Sequence, residues 1–145
     1  MHRTTETRFV AFALIVGLFL FISGCGGLTK GKPAAEAAIS RFHQQMNEGR
    51  FEEIWNEANE KFRGASSKEK YLEFMSAIER KLGKVQSTKN AGWKVNTVNF
   101  TTMVLMNQNT TFEKGSGTET FTFEMEGEKA LLVGYNIQSM DLIIK

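Results

Sequence analysis

Residues 115–140 read GSGTETFTFEMEGEKALLVGYNIQSM. Within them Phe121, Phe123 and Met125 alternate with Thr120, Thr122 and Glu124. That is the period-two pattern of a strand with one buried face. The triplet Glu126-Gly127-Glu128 interrupts it, and a second β-rich run extends from Ala130 to Met140. Two such runs joined by a short Gly-containing turn read as a hairpin. In the second run Leu131, Val133, Tyr135 and Ile137 are expected on one face, with Ala130, Gly134, Asn136 and Gln138 opposite and Leu132 as the exception. Upstream, Gly115-Ser116-Gly117 is expected to turn the chain into Thr118, and Gly115, Gly117 and Gly127 read as turn glycines. Further back, Trp93, Val95 and Thr97 alternate with Lys94, Asn96 and Val98, and Phe100 to Phe112 follows in the same style. The second half is therefore an antiparallel meander.

Before Gly83 the period is that of a helix. Ile39, Phe42, His43 and Met46 fall at i, i+3, i+4 and i+7, and Gly49 stands where a left-handed C-cap belongs. Phe51, Ile54, Trp55, Ala58 and Phe62 repeat the spacing as a second helix. Ser66 with Glu69 has the form of a capping box for a third, whose apolar face is Tyr71, Met75, Ile78 and Leu82 and which Gly83 ends. Three helices followed by a meander predict an α+β domain over residues 34–145, the sheet packing its apolar face on the helices. Trp55 and Phe62 are expected beneath Phe121, Phe123 and Tyr135.

This order of elements resembles the nuclear-transport-factor-2-like and cystatin-like folds, which implies helices lying in the concave side of a curved antiparallel sheet to form a cone. The chain also resembles small bacterial exported proteins of unknown function. Their helical half reads like Asn47-Glu48-Gly49-Arg50-Phe51 with Trp55 and Phe62, then Lys81-Leu82-Gly83, and their sheet half ends like Leu132-Val133-Gly134-Tyr135-Asn136-Ile137. The likeness covers residues 35–143 and brings no catalytic residue with it.

The first residues carry a different message. Arg3 and Arg8 precede an apolar run from Phe9 to Ile22, then Ser23-Gly24-Cys25. This is the layout of a secretory signal peptide over residues 1–24, too short for the roughly 20 apolar residues that span a bilayer. Its ending resembles the bacterial lipobox, which implies cleavage before Cys25, a diacylglyceryl group on its thiol and an acylated amino terminus. Cys25 is the only cysteine, so no internal disulfide forms and packing alone stabilises the domain. The Gly- and Lys-rich residues 26–33 read as a flexible tether. The expected place is the bacterial cell envelope, on a membrane and facing the periplasm or exterior. Gly26 after the cysteine, where inner-membrane lipoproteins of enteric bacteria commonly have aspartate, favours the outer membrane where there is one. Losing Arg3, Arg8 and Glu6 takes the formal charge of +2 to about +1, which speaks against nucleic acid as a partner.

Chemistry-bearing residues are few. Asp141 is the sole aspartate, and with His2 removed His43 is the only histidine. No metal-spaced Cys/His set, phosphate loop or nucleophile elbow occurs, so neither a metal nor a cofactor is expected and no catalytic residue is assigned. Phe42, His43, Trp55, Trp93 and Tyr135 are the residues expected to line a pocket. The expected role is a non-enzymatic binding or accessory module for a small apolar ligand or an envelope protein. The alternative is an envelope enzyme using His43 as acid or base. A filled cone with no pocket would make the protein purely structural.

Overall fold

The computed structural model describes residues 27–144; Cys25 and the signal-like segment lie outside the described residues. Helices α1 (Gly27–Asn47), α2 (Phe51–Glu57), α3 (Glu60–Gly64) and α4 (Lys68–Leu82) precede strands β1 (Val85–Val98), β2 (Thr101–Phe112), β3 (Gly115–Glu126) and β4 (Lys129–Gln138), and a short α5 (Met140–Ile144) closes the chain. The strands form an antiparallel meander in the order β1-β2-β3-β4. The architecture is α+β.

One face of the sheet is the floor of the core. Val104, Met106, Gln108, Thr110 and Phe112 of β2 and Glu119, Phe121 and Phe123 of β3 are buried on it, spaced two apart as a pleated strand requires. The expected orientation of β4 needs correction. Phe121 pairs with Tyr135 but Phe123 with Leu132, and the register shift leaves Val133 as an extra residue. This bulge switches the facing, so Leu132 is buried and Ala130, Tyr135 and Ile137 pack on the core. Leu131 and Val133 are not among the core residues.

The β3–β4 turn falls at Gly127 as expected, and the other two turns differ from the sequence reading. The β2–β3 turn is Glu113-Lys114, and Gly115 and Gly117 lie within β3, paired with Phe112 and Thr110. They are small because the chain passes close by: a Cβ at Gly115 would fall 2.3 Å from the Asp141 carboxylate of α5, and one at Gly117 would sit 3.0 Å from the carbonyl of Gln138 at the end of β4. Asp141 accepts the Ser116 N–H at 3.1 Å, which ends β4 before Met140. β1 begins at Val85 rather than Trp93, with irregularities between Val85 and Ser87 and between Asn90 and Gly92 that blur its alternation. Asn99 and Phe100 form the β1–β2 turn with φ of 49° and 63°, so Phe100 belongs to the turn and not to β2.

The helices cover the inward face. Ile39, Phe42 and Met46 of α1 are buried as their spacing predicts. Phe42 holds the place expected of Trp55, with ring centroids 5.1 Å from Phe121 and 4.8 Å from Tyr135. Trp55 is buried beside Tyr71 and Phe62 instead, at 5.2 and 6.0 Å. The second predicted helix is broken: Ala58 and Asn59 are extended, the Asn59 N–H donates to the Leu132 carbonyl at 2.9 Å, and its side chain caps α3 at Lys61. A bond to the sheet thus outcompetes helical continuation. Ser67, not Ser66, caps α4 by accepting from Lys70. The tether expected over residues 26–33 is helical from Gly27. A Cβ at Gly31 would lie 3.1 Å from Val104, so α1 passes close over the sheet there, and that contact holds a composition that reads as linker. Among the described residues no helix is long and apolar enough to cross a membrane.

Candidate functional site

Two features stand out, one closed and one open. The closed one is a polar cluster in the inward face. Continuing the β3 alternation back from Phe121 places Glu119 on the core side, and its side chain is fully buried. A carboxyl group there is tolerated only with hydrogen-bonding partners. His43 Nε2 of α1 lies 2.8 Å from Oε2, the Thr110 hydroxyl donates to the same oxygen, and Tyr135 Oη donates to Oε1 at 2.7 Å. Thr88 extends the network, 3.0 Å from the Thr110 hydroxyl and donating to Gln108 at 3.3 Å. An ionised carboxylate only accepts, so in that state the His43 ring proton sits on Nε2. Burial, together with the charge and hydrogen bond of Glu119, pushes the Tyr135 phenol well above its ordinary value. The Tyr71 phenol is also pushed up by burial, and its hydroxyl is buried without a partner.

The open feature is a groove of about 680 Å³ between α1, α2 and the start of β4. Phe42, Ile54, Phe123 and Leu132 line its apolar part. Ala34, Ala37 and Ala38 from α1, Ala58 and Ala130 keep it open, because a methyl group leaves space that a longer side chain would fill. The α1 alanines and Arg41 form a stripe next to the core stripe of the same helix. Arg41 donates to Glu57 through Nε at 2.9 Å and through a terminal nitrogen at 2.5 Å, and Gln45 donates to the same carboxylate at 3.0 Å. Burial raises the Glu57 carboxyl, but the bonds from Arg41 and Gln45 outweigh that and hold it below its ordinary value. Glu128 and Lys129 stand at the opposite wall. The volume lies within the range of small-molecule sites.

The family described as protein of unknown function (DUF4019) matches residues 38–135. The chain belongs to that family. No curated protein and no solved structure matches it. The DUF4019 match contains both the Glu119 cluster and most of the groove.

In this DUF4019 chain the five residues expected to share a pocket are divided. Phe42 lines the groove, while His43 and Tyr135 meet at Glu119. Trp55 is packed between Phe62 and Tyr71. Trp93 is on edge strand β1, half exposed, with the Lys32 ammonium 6.0 Å from its ring, and joins neither feature. Glu119 is not among the residues expected at the site, although it stands two residues before Phe121 on the same alternation. The groove alanines gave no signal of their own. Asp141 pins α5 to β3. Among the described residues no group of three or more His, Cys, Asp or Glu is placed to hold a metal.

Proposed function

We propose that this protein is a lipid-anchored component of a bacterial cell envelope, held at a membrane through Cys25, whose domain is a non-enzymatic binding module for a small apolar ligand. The helices laid across the inward face of the meander support reading the fold as a cystatin-like cone. The observation that carries the binding role is the groove: an apolar floor and alanine walls beside the charged and polar side chains of Arg41, Gln45, Glu57 and Lys129. Such a site holds an apolar body by burial and orients a polar end. An envelope protein presenting an apolar side chain to the same groove is the related reading carried over from the sequence.

The enzymatic alternative draws on the contact between His43 and Glu119. Against it stand their burial and saturation: each polar oxygen of Glu119 is already engaged, and neither residue lines the groove. A general base needs hydrogen-bond reach to its substrate. The test compares Ala38→Phe, which fills the groove, with His43→Gln, scored in the envelope phenotype of a deletion. A binding module loses function with the first and keeps it with the second. Loss of function in His43→Gln alone, with an intact fold, transfers the case to the enzyme.

A further inference from the structure

Of the exposed large apolar residues on the sheet, Trp93 and Leu105 lie along β1 and β2, and two others stand together at one turn. Val98 and Phe100 stand at the β1–β2 hairpin tip, the first more than half exposed and the second wholly so. Phe100 also has φ of 63°, a conformation that β-hairpin turns normally give to Gly, Asn or Asp. A bulky side chain with positive φ is unusual, and it brings no packing gain here. Residues in strained backbone that pack against nothing are candidates for contact with something outside the fold.

The path of α1 identifies what lies at that end. Asn47, at its C-terminus, exchanges hydrogen bonds of 3.0 and 2.7 Å with the backbone of Val85 at the start of β1. Lys32 lies over Trp93, and Gly31 faces Val95 and Val104. The helix therefore runs antiparallel to β1, and its N-terminal end points toward the hairpin tip. From Val95 to the turn is five residues, about 16 Å of strand. From Gly31 back to Gly27 is about 6 Å of helix, and the two residues to Cys25 add at most about 7 Å. Chain length alone therefore keeps Cys25 within about 7 Å of the start of α1, the end of that helix that points toward the tip.

We propose that the β1–β2 hairpin tip, Val98-Asn99-Phe100, is a second membrane contact that enters the bilayer interface beside the lipidated Cys25. This rests on the lipoprotein reading of Cys25. An acyl anchor so close to the start of α1 brings this end of the domain to the bilayer. The tip from Val98 to Thr101 carries no charge, while Lys32 and Lys94 lie farther along α1 and β1. The other turn at this end is acidic. Its Glu126 accepts from Asn59 at 3.2 Å and Glu128 is also partnered, which leaves that turn in the headgroup water. The tip adds to the anchor by burying an aromatic ring and holds the domain in one orientation. An apolar side chain that leaves water in this way is worth roughly tenfold or more in partitioning.

The test uses the full chain extracted from cell membranes, with an environment-sensitive fluorophore on Phe100→Cys or, in a second protein, on Lys89→Cys, about 35 Å away along β1. Each is placed in vesicles of phosphatidylethanolamine and phosphatidylglycerol with brominated acyl chains. Quenching at position 100 with none at position 89, and about tenfold easier extraction of unlabelled Phe100→Ser, is the expected result. A fluorophore at 100 as water-exposed as at 89 overturns the proposal. Shielding at 100 in native membranes but not in pure vesicles also overturns it, because a protein then covers the tip. The mass of the same preparation reports acylation separately. An unacylated Cys25 refutes the lipoprotein reading, whatever the label at 100 shows.

Discussion

Replacing Glu119 by alanine should destabilise the domain by about 3–5 kcal/mol, the cost of removing one member of a buried polar pair. The figure follows from what the carboxylate leaves behind. His43 and Tyr135 lose their acceptor inside the protein, and an unsatisfied buried group costs about 1–3 kcal/mol each. Thr110 is cushioned, since its hydroxyl keeps Thr88 at 3.0 Å. At roughly 3–5 °C per kcal/mol for a domain of this size, the midpoint of thermal unfolding should fall by about 10–20 °C. Glu119→Gln preserves the volume but exchanges an acceptor for a donor, and should cost about 1–2 kcal/mol. Circular dichroism melts of wild type, Glu119→Ala, His43→Ala and the double variant complete a thermodynamic cycle, with an expected coupling of about 1–3 kcal/mol. If Glu119→Ala melts within about 2 °C of wild type, or if the two sites add without coupling, the polar cluster does not hold α1 to the sheet and the reasoning fails.

Tyr71→Phe should leave stability unchanged or raise it by up to about 1 kcal/mol, because it removes a buried hydroxyl with no partner; a loss of more than 1 kcal/mol in urea melts would mean that the hydroxyl has a partner. Both Tyr71 and Tyr135 have phenols pushed above their unfolded value, so the native state keeps protons that the unfolded chain releases. Stability should be constant below the unfolded phenol value of about 10 and fall as pH rises above it. Tyr71→Phe should flatten that alkaline limb, and a limb identical to wild type would contradict the assignment. Trp55→Ala, which empties the space between Tyr71 and Phe62, should cost about 3–5 kcal/mol, to be read by denaturant titration. Cys25→Ser should release the protein from membranes or leave its signal uncleaved; a variant that fractionates and migrates as wild type does would end the lipoprotein reading.

Much of the fold could be read from periodicity, and the departures have local causes. The core faces of α1 and α4, and of β3 around Phe121 and Phe123, follow directly from spacings of 3.6 and 2. Leu132 departs from simple alternation because a single extra residue at Val133 reverses it, and nothing in a run of apolar residues marks where a bulge falls. The helix break at Asn59 depends on a partner, Leu132, seventy-three residues away in the chain, which local propensity does not contain. Gly31 read as linker because its value lies in having no side chain above Val104, a contact visible only once the helix is laid on the sheet. Of the site, the α1 stripe points to His43, and the β3 alternation points equally to Glu119. The groove was not, since Ala34, Ala37 and Ala38 act by what they leave empty.

The groove is tested most directly by native mass spectrometry of the protein extracted gently from its own membranes, alongside Ala38→Phe with an unchanged melting midpoint. Wild type should carry a small apolar molecule in excess of the mass of its acylated chain, and Ala38→Phe should not. Wild type and variant emerging with the same mass surplus, or wild type carrying none, would contradict the groove as the binding site.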